Sequence, residues 1–328
     1  MSNDIVKAVK SRINYQAFLL LTLIVLLFVF NRLTDGVIMK WNVIFRQTEI
    51  VMEVGLIALA MTLVIATGGI DLSVGYTMAL SAIMMGLIYE KTENIVLAAA
   101  VCLLTGMLCG ALNGLIIAKT DIPPLVTTLA TFSLYTGISK LVAGSNIFSK
   151  FPDGMTFLIT HRLFGVIPYQ FVLFLVLAVT FALAFNRTRY GRYLRGMGFN
   201  EQTVRFSGVN IGLIKFNIYV LAGLMSSIAA IVYLCRLPAA KPDIGININL
   251  ETITAVVFGG TSIIGGIASV WGTVLSILIL GVLRKGLSLI GLGGDKYNFI
   301  LGIILVVCLI GFSILNGQIS LGRRKGAD

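Results

Sequence analysis

Apolar residues fill this chain in long runs, and polar residues are confined to short connections between them. The first run lies within MSNDIVKAVKSRINYQAFLLLTLIVLLFVFNR (1–32), and others follow at about 50–66, 74–89, 95–118, 125–143, 166–185, 212–234, 250–264, 268–283 and 297–315. A helix needs roughly 20 mostly apolar residues to span a bilayer. The pattern therefore predicts an all-α integral membrane protein with about ten transmembrane segments (eight to ten), some short or discontinuous. It leaves no room for a sizeable soluble domain, so residues 1–328 read as one transmembrane domain. The N-terminal run is too long for a secretion signal and lacks a small-residue cleavage pattern; it reads as a retained first span.

Two of the runs are interrupted in the same way. Residues 62–75 read TLVIATGGIDLSVG and residues 254–266 read TAVVFGGTSIIGG, each with a Thr, an aliphatic run, a Gly pair and a further Gly six residues on. Paired Gly-interrupted segments in two halves of a chain point to an internal repeat whose broken helices line a pathway. Unwound backbone at membrane depth has to be buried in protein or face water. Gly68, Gly69, Asp71, Ser73 and Gly75, with Gly259, Gly260, Thr261, Gly265 and Gly266, are thus candidate pathway residues, in re-entrant or broken spanning helices. The other reading of these glycines is close helix packing. Asp71 is a costly residue in lipid; it is an ion relay, a substrate contact, or, with Ser73, the cap of the following helix. Glu49, Glu53 and Glu251 read as helix-terminal acids.

Composition agrees with the pattern: 57% of residues are hydrophobic and 12% charged, outside the range of soluble domains. The net charge of +11 is spread over membrane-flanking loops, which suits contact with membrane lipid and cytosolic partners and gives no nucleic-acid module. The densest basic stretch, 186–215, belongs in the cytoplasm by the bias of Lys and Arg toward inner loops. So do Lys7, Lys10 and Arg12 at the N-terminus and Arg323, Arg324 and Lys325 at the C-terminus. This scheme leaves Arg32, Lys40, Arg46, Arg284 and Lys285 outside. Cys102, Cys109, Cys235 and Cys308 lack metal or disulfide spacing and read as small core residues; His161 reads as a surface residue. There is no HExxH, no GxSxG and no GxxxxGK[ST] phosphate loop. The chain is expected to be no enzyme, to hold no cofactor or metal, and to draw its energy from elsewhere.

GGIDLSVG (68–75), LNGLIIAKTDIPPLVTTLATFSLYTGI (112–138), NRTRYGRYLRGMGFNEQTVRFSGVN (186–210) and AVVFGGTSIIGGIASVWGTVLSILILGVLRKGLSLIG (255–291) resemble the permease subunits of bacterial ABC importers for monosaccharides. That family covers ribose, xylose, arabinose, galactose and rhamnose systems and the autoinducer-2 permeases, and the resemblance spans about 45–315. Ala268 and Ser269 stand where relatives often carry a Gly/Arg pair, and Gln202 and Thr203 where they often carry alanines. The resemblance implies a multi-pass permease of the bacterial inner membrane with both termini cytoplasmic. It implies import of a small sugar by alternating access, a cytosolic ABC ATPase, an extracytoplasmic sugar-binding protein, and a second permease copy or paralogue. Within the cytosolic loop 186–215, Gly198 to Asn210 resembles the coupling helix that meets the ATPase, with Asn200, Glu201, Thr203, Arg205 and Gly208 as candidate coupling residues. For a neutral, hydroxyl-rich solute the pathway should carry scattered weak donors and acceptors, with Thr67, Ser73, Thr77, Asn113, Thr127, Thr128, Thr131 and Ser133 as candidates. The rival reading is an ion-coupled secondary sugar transporter using Asp71 or the Glu49/Glu53 pair without an ATPase.

Overall fold

The computed structural model describes residues 2–315. It is helical almost throughout: α1 (Ser2–Leu33), α2 (Trp41–Ala66), α3 (Val74–Thr92), α4 (Ile95–Lys119), α5 (Pro124–Ala143), α6 (Phe157–Thr160), α7 (Tyr169–Arg187), α8 (Arg189–Phe199), α9 (Glu201–Phe206), α10 (Ile211–Arg236), α11 (Ile248–Phe258), α12 (Val270–Leu289) and α13 (Gly294–Leu315). Among the described residues, β structure is limited to the hairpin of β1 (Arg162–Leu163) and β2 (Ile167–Pro168) and a single bridge between Phe148 and Ala240.

Six helical stretches of the described residues are long and apolar enough to cross a bilayer: Tyr15–Leu33 of α1, and α4, α5, α7, α10 and α12; Val51–Ala66 of α2 is a shorter apolar stretch. Ten full spans are therefore not found. The expected span at 250–264 is the clearest departure, because α11 has 11 residues and rises only about 16 Å, half of a ~30 Å hydrocarbon core. Its missing half is unwound glycine-rich chain.

The core is built around α10 and α2. Along α10, Phe216, Tyr219 and Gly223 face Gly114, Gly110 and Gly106 of α4 so closely that a Cβ on any of these α4 glycines would overlap the α10 backbone. Close packing is thus what these glycines do. Every residue from Val51 to Ala66 is buried. On the outside of α4 stand Leu104, Leu108, Leu112 and Leu115, all exposed, as lipid contact requires.

Buried and half-buried acids near one end of the bundle are paired with bases. Glu53 lies in the middle of α2, not at its start, because the helix begins at Trp41. Its carboxylate meets Arg236 at 2.9 Å. Glu251, in the first turn of α11, receives Arg284 at 3.4 Å and the hydroxyl of Tyr297. Glu49 faces Arg162 at 3.6 Å. Two of the basic residues left outside by the charge rule lie at this end: Arg284 in that pair, and Arg32 over the Phe28 ring at the close of α1. Tyr15, where the apolar stretch of α1 begins, reaches Phe258 and Ser269 is bonded by Gln16, at the opposite end, which also carries α8 and α9. The side chains of Lys7, Lys10, Arg12, Arg46, Arg323, Arg324 and Lys325 lie outside the described residues.

Candidate functional site

Between α2 and α3 the chain is unwound from Thr67 to Ser73, and between α11 and α12 from Gly259 to Ser269. Gly68, Gly260, Gly265 and Gly266 have φ of 80, 89, 95 and 79°, the left-handed region that glycine occupies without penalty. The two breaks touch. Gly266 N–H donates to the carbonyl of Ala66 at 2.9 Å, and a Cβ at Gly265 would press on the Gly68 backbone at 2.7 Å. The similar motifs are thereby folded into one place, each a helix, a break and a helix.

The first break is held by Asp71. Its Oδ1 accepts from the backbone N–H of Ser73 at 2.8 Å and from the Ser73 hydroxyl at 2.7 Å. Asn113 of α4 donates its amide to Ser73 Oγ at 2.8 Å. Ser73 occupies the cap position of α3 but its side chain accepts nothing from the helix, so the expected cap is a tight turn closed by Asp71 instead. Asp71 is 2% exposed, and no ion pair involving it occurs among the described residues. Thr128 of α5 donates to the carbonyl of Ile70 at 3.0 Å. Gly69 lies under the Tyr219 hydroxyl, a buried group without a hydrogen-bond partner.

The second break is tied to α1, α2 and α12. Thr261 Oγ1 accepts from Ser269 N–H at 3.3 Å, and the Ser262 N–H donates to Ile267 at 2.9 Å. Gly259 and Gly272 meet backbone to backbone, where a Cβ on Gly272 would overlap Gly259 O. Thr62 of α2 and Thr273 of α12 share a hydrogen bond at 2.9 Å.

Of the remaining pathway candidates, Thr127, Thr128 and Thr131 are buried on the face of α5 turned to α3, beside the first break and away from the second. Gly75, in the first turn of α3, adjoins the backbone of Gly245. Ser133 is exposed and bonds Leu129 of its own helix at 3.4 Å, away from this group.

The stretch 186–215 is not an open loop but the end of α7, two short helices and the start of α10. The single helix expected from Gly198 to Asn210 is split at Asn200, which closes α8 and whose side chain accepts from Thr203 N–H at 3.0 Å to open α9. Glu201 is the first residue of α9, and Gly208 follows its end at φ 80°. Glu201 is engaged within the chain: its carboxylate meets Lys215 at 2.7 Å and Arg205 at 3.6 Å. With Lys119 at the end of α4 and Asp121 and Pro123 of the α4–α5 connection, these residues line a polar cleft of about 270 Å³. Phe206 of α9 is 86% exposed.

One contact joins α8 to the breaks and had no signal in the sequence beyond a small residue in a basic helix. Gly198, in the last turn of α8, lies so close to both breaks that a Cβ there would overlap Gly266 N and Ala66 O. Phe199, next along, lays its ring over Gly266.

The sequence profile of the family described as branched-chain amino acid transport system, permease component, matches residues 43–309, a stretch holding both breaks, α8 and α9. The autoinducer 2 import system permease protein LsrD of Klebsiella pneumoniae is 34% identical over 311 residues, 93% of each chain. Its counterpart in Enterobacter sp. strain 638 is 34% identical over 309 residues, 92% of this chain and 94% of that one. That of Yersinia pseudotuberculosis is 34% identical over 301 residues, 90% and 89% of the two chains. No solved structure matches. With a profile match across most of its length and these permeases as relatives, the chain belongs to the branched-chain amino acid transport system permease family.

Proposed function

We propose that this chain is the transmembrane subunit of an importer driven by a separate ABC ATPase, carrying a monosaccharide or a related small hydroxylated solute across the bacterial inner membrane by alternating access. The named relatives import autoinducer 2, and that solute belongs to the same reading. The chain pairs with a second permease, identical or paralogous, receives solute from an extracytoplasmic binding protein, and meets the ATPase through α9 on the cytoplasmic side, where both termini also lie. Asp71, Ser73, the glycines of the two breaks, Thr261 and the α5 threonines border the pathway. Asn200, Glu201, Thr203, Arg205 and Gly208 shape the ATPase contact.

The observation that carries this reading is the wedge at Gly198. A force applied to α9 passes through Asn200 into α8, and α8 rests by its last turn on both breaks at once. Packed interfaces of this kind switch between discrete arrangements rather than yielding gradually, so a rigid-body push on α9 moves the two breaks together.

Gly198→Ala tests it in liposomes holding permease, ATPase and binding protein. The added methyl meets backbone atoms of two segments that cannot rotate away. The complex is expected to assemble and to hydrolyse ATP while uptake falls at least tenfold and hydrolysis no longer responds to loaded binding protein. Gly302→Ala in α13, whose Cβ would meet nothing within 4 Å, serves as the control. Full coupling in Gly198→Ala would remove α8 from the route.

A further inference from the structure

The connection from α10 to α11, residues 237–247, does not stay at the surface. The N–H groups of Phe148 and Ala240 donate to each other's carbonyls at 3.1 and 2.8 Å, and Phe148 packs on Gly86 of α3. Five residues later, Gly245 lies against Gly75, in the first turn of the same helix. Those contacts lie eleven residues apart on α3, about 16 Å along its axis, and between them the connection runs extended through Lys241 and then makes a 3-10 turn over Pro242–Gly245 that packs against α3. The connection therefore descends alongside α3, from near the exposed Glu90–Lys150 pair to the level of the first break, and ends at Asn247, held at φ 67°.

The descending stretch carries charge on its open side. Lys241 and Asp243 pair at 3.1 Å with their side chains 41% and 53% exposed, and Asn247 is exposed beside them. A lysine alone can stretch its stem toward the headgroups, but an aspartate is too short, and its pairing draws the ammonium inward. An ion pair open to hydrocarbon carries a heavy insertion penalty; facing water, it carries little. The leucine face of α4 shows what this chain presents to lipid.

We propose that residues 237–247 form the wall of the aqueous pathway that touches the solute, with Lys241, Asp243 and Asn247 as its contacts. This rests on the importer reading above. The two charges cancel each other, so the surface offers several donors and acceptors without net charge, a match for neutral hydroxyl groups rather than for an ionic solute. Tyr76, whose backbone adjoins Gly245, and Phe132, ring to ring with it at 4.8 Å, give the wall an apolar flank for the C–H face of a sugar.

The test uses the full transporter in liposomes, with Asp243→Cys, Asn247→Cys and the unsubstituted chain as background. A sulfonated, membrane-impermeant maleimide is expected to label both variants and to spare Leu108→Cys. Uptake of ribose, xylose, arabinose, galactose and rhamnose is then compared in Asn247→Gly, which removes the amide while keeping the left-handed backbone. The ratio of rates between sugars is expected to shift about two- to tenfold, the worth of one hydrogen bond to a neutral group. Failure of the sulfonated reagent at 243 and 247 while a lipid-soluble maleimide reacts would overturn the proposal, and so would labelling with unchanged ratios. Absence of ATP-dependent uptake of any of these sugars by the unsubstituted complex would count against the importer reading instead, and labelling would still decide whether the wall is wet.

Discussion

Asp71 fixes the entry to α3 through one carboxylate oxygen that accepts twice from Ser73. An asparagine presents the same acceptor. Asp71→Asn is therefore expected to keep membrane levels and most uptake, whereas Asp71→Leu strands the Ser73 N–H and hydroxyl at about 1–3 kcal/mol each and should lower thermal stability in detergent. Complete loss of uptake in both variants at normal membrane levels would assign the negative charge an essential role. Glu53 and Arg236 make a second, sharper case. Arg236→Met leaves a buried carboxylate alone and should cost about 3–5 kcal/mol, while Glu53→Leu combined with Arg236→Met recovers most of it; melting temperatures of the three forms check this. The sequence marked Asp71 and Glu53 as unusual, since an acid in an apolar run stands out by composition alone. It offered Ser73, two positions on, as the companion of Asp71, but could not supply Asn113 behind Ser73 or Arg236 for Glu53, which lie 40 and 183 positions away from their partners.

At the scale of elements, α9 behaves as a lever seated on α10. Glu201 reaches Lys215 in its own chain, so the loss of that seat rather than of a contact with the ATPase governs its variants. Glu201→Ala and Lys215→Met should give the same mild weakening of ATPase stimulation, within the ~1 kcal/mol of a surface pair, and the double variant should be no worse than either. Additive defects would place one of the two residues at a second contact. Gly208 has open space around it but a left-handed backbone. Gly208→Val is thus strained by conformation alone and is expected to misplace α9 and abolish stimulation in reconstituted membranes, with Gly208→Asn milder because asparagine tolerates that region. The acid near the start of α9 and the turn after it were legible from Glu201 and Gly208, whose chemistry is local. The split at Asn200 and the half-length of α11 were not: both depend on what the segment packs against, and an apolar run reads the same whether it crosses the membrane or stops halfway.

For the molecule as a whole, the long apolar runs and their order were read directly from the chain, because lipid leaves a backbone few options. The structure brings the two similarly spaced breaks into contact and adds the contact with α8 that makes them one unit with the α9 end. In the importer reading proposed above, energy enters that unit from a separate ATPase. The most direct measurement is uptake of a radiolabelled monosaccharide, from the same panel of five, into liposomes containing the permease with its binding protein, with and without the ATPase, under an applied proton or sodium gradient or with ATP. The account predicts accumulation only when ATPase and ATP are both present, and none driven by either gradient. Accumulation along an ion gradient by the permease alone would contradict it.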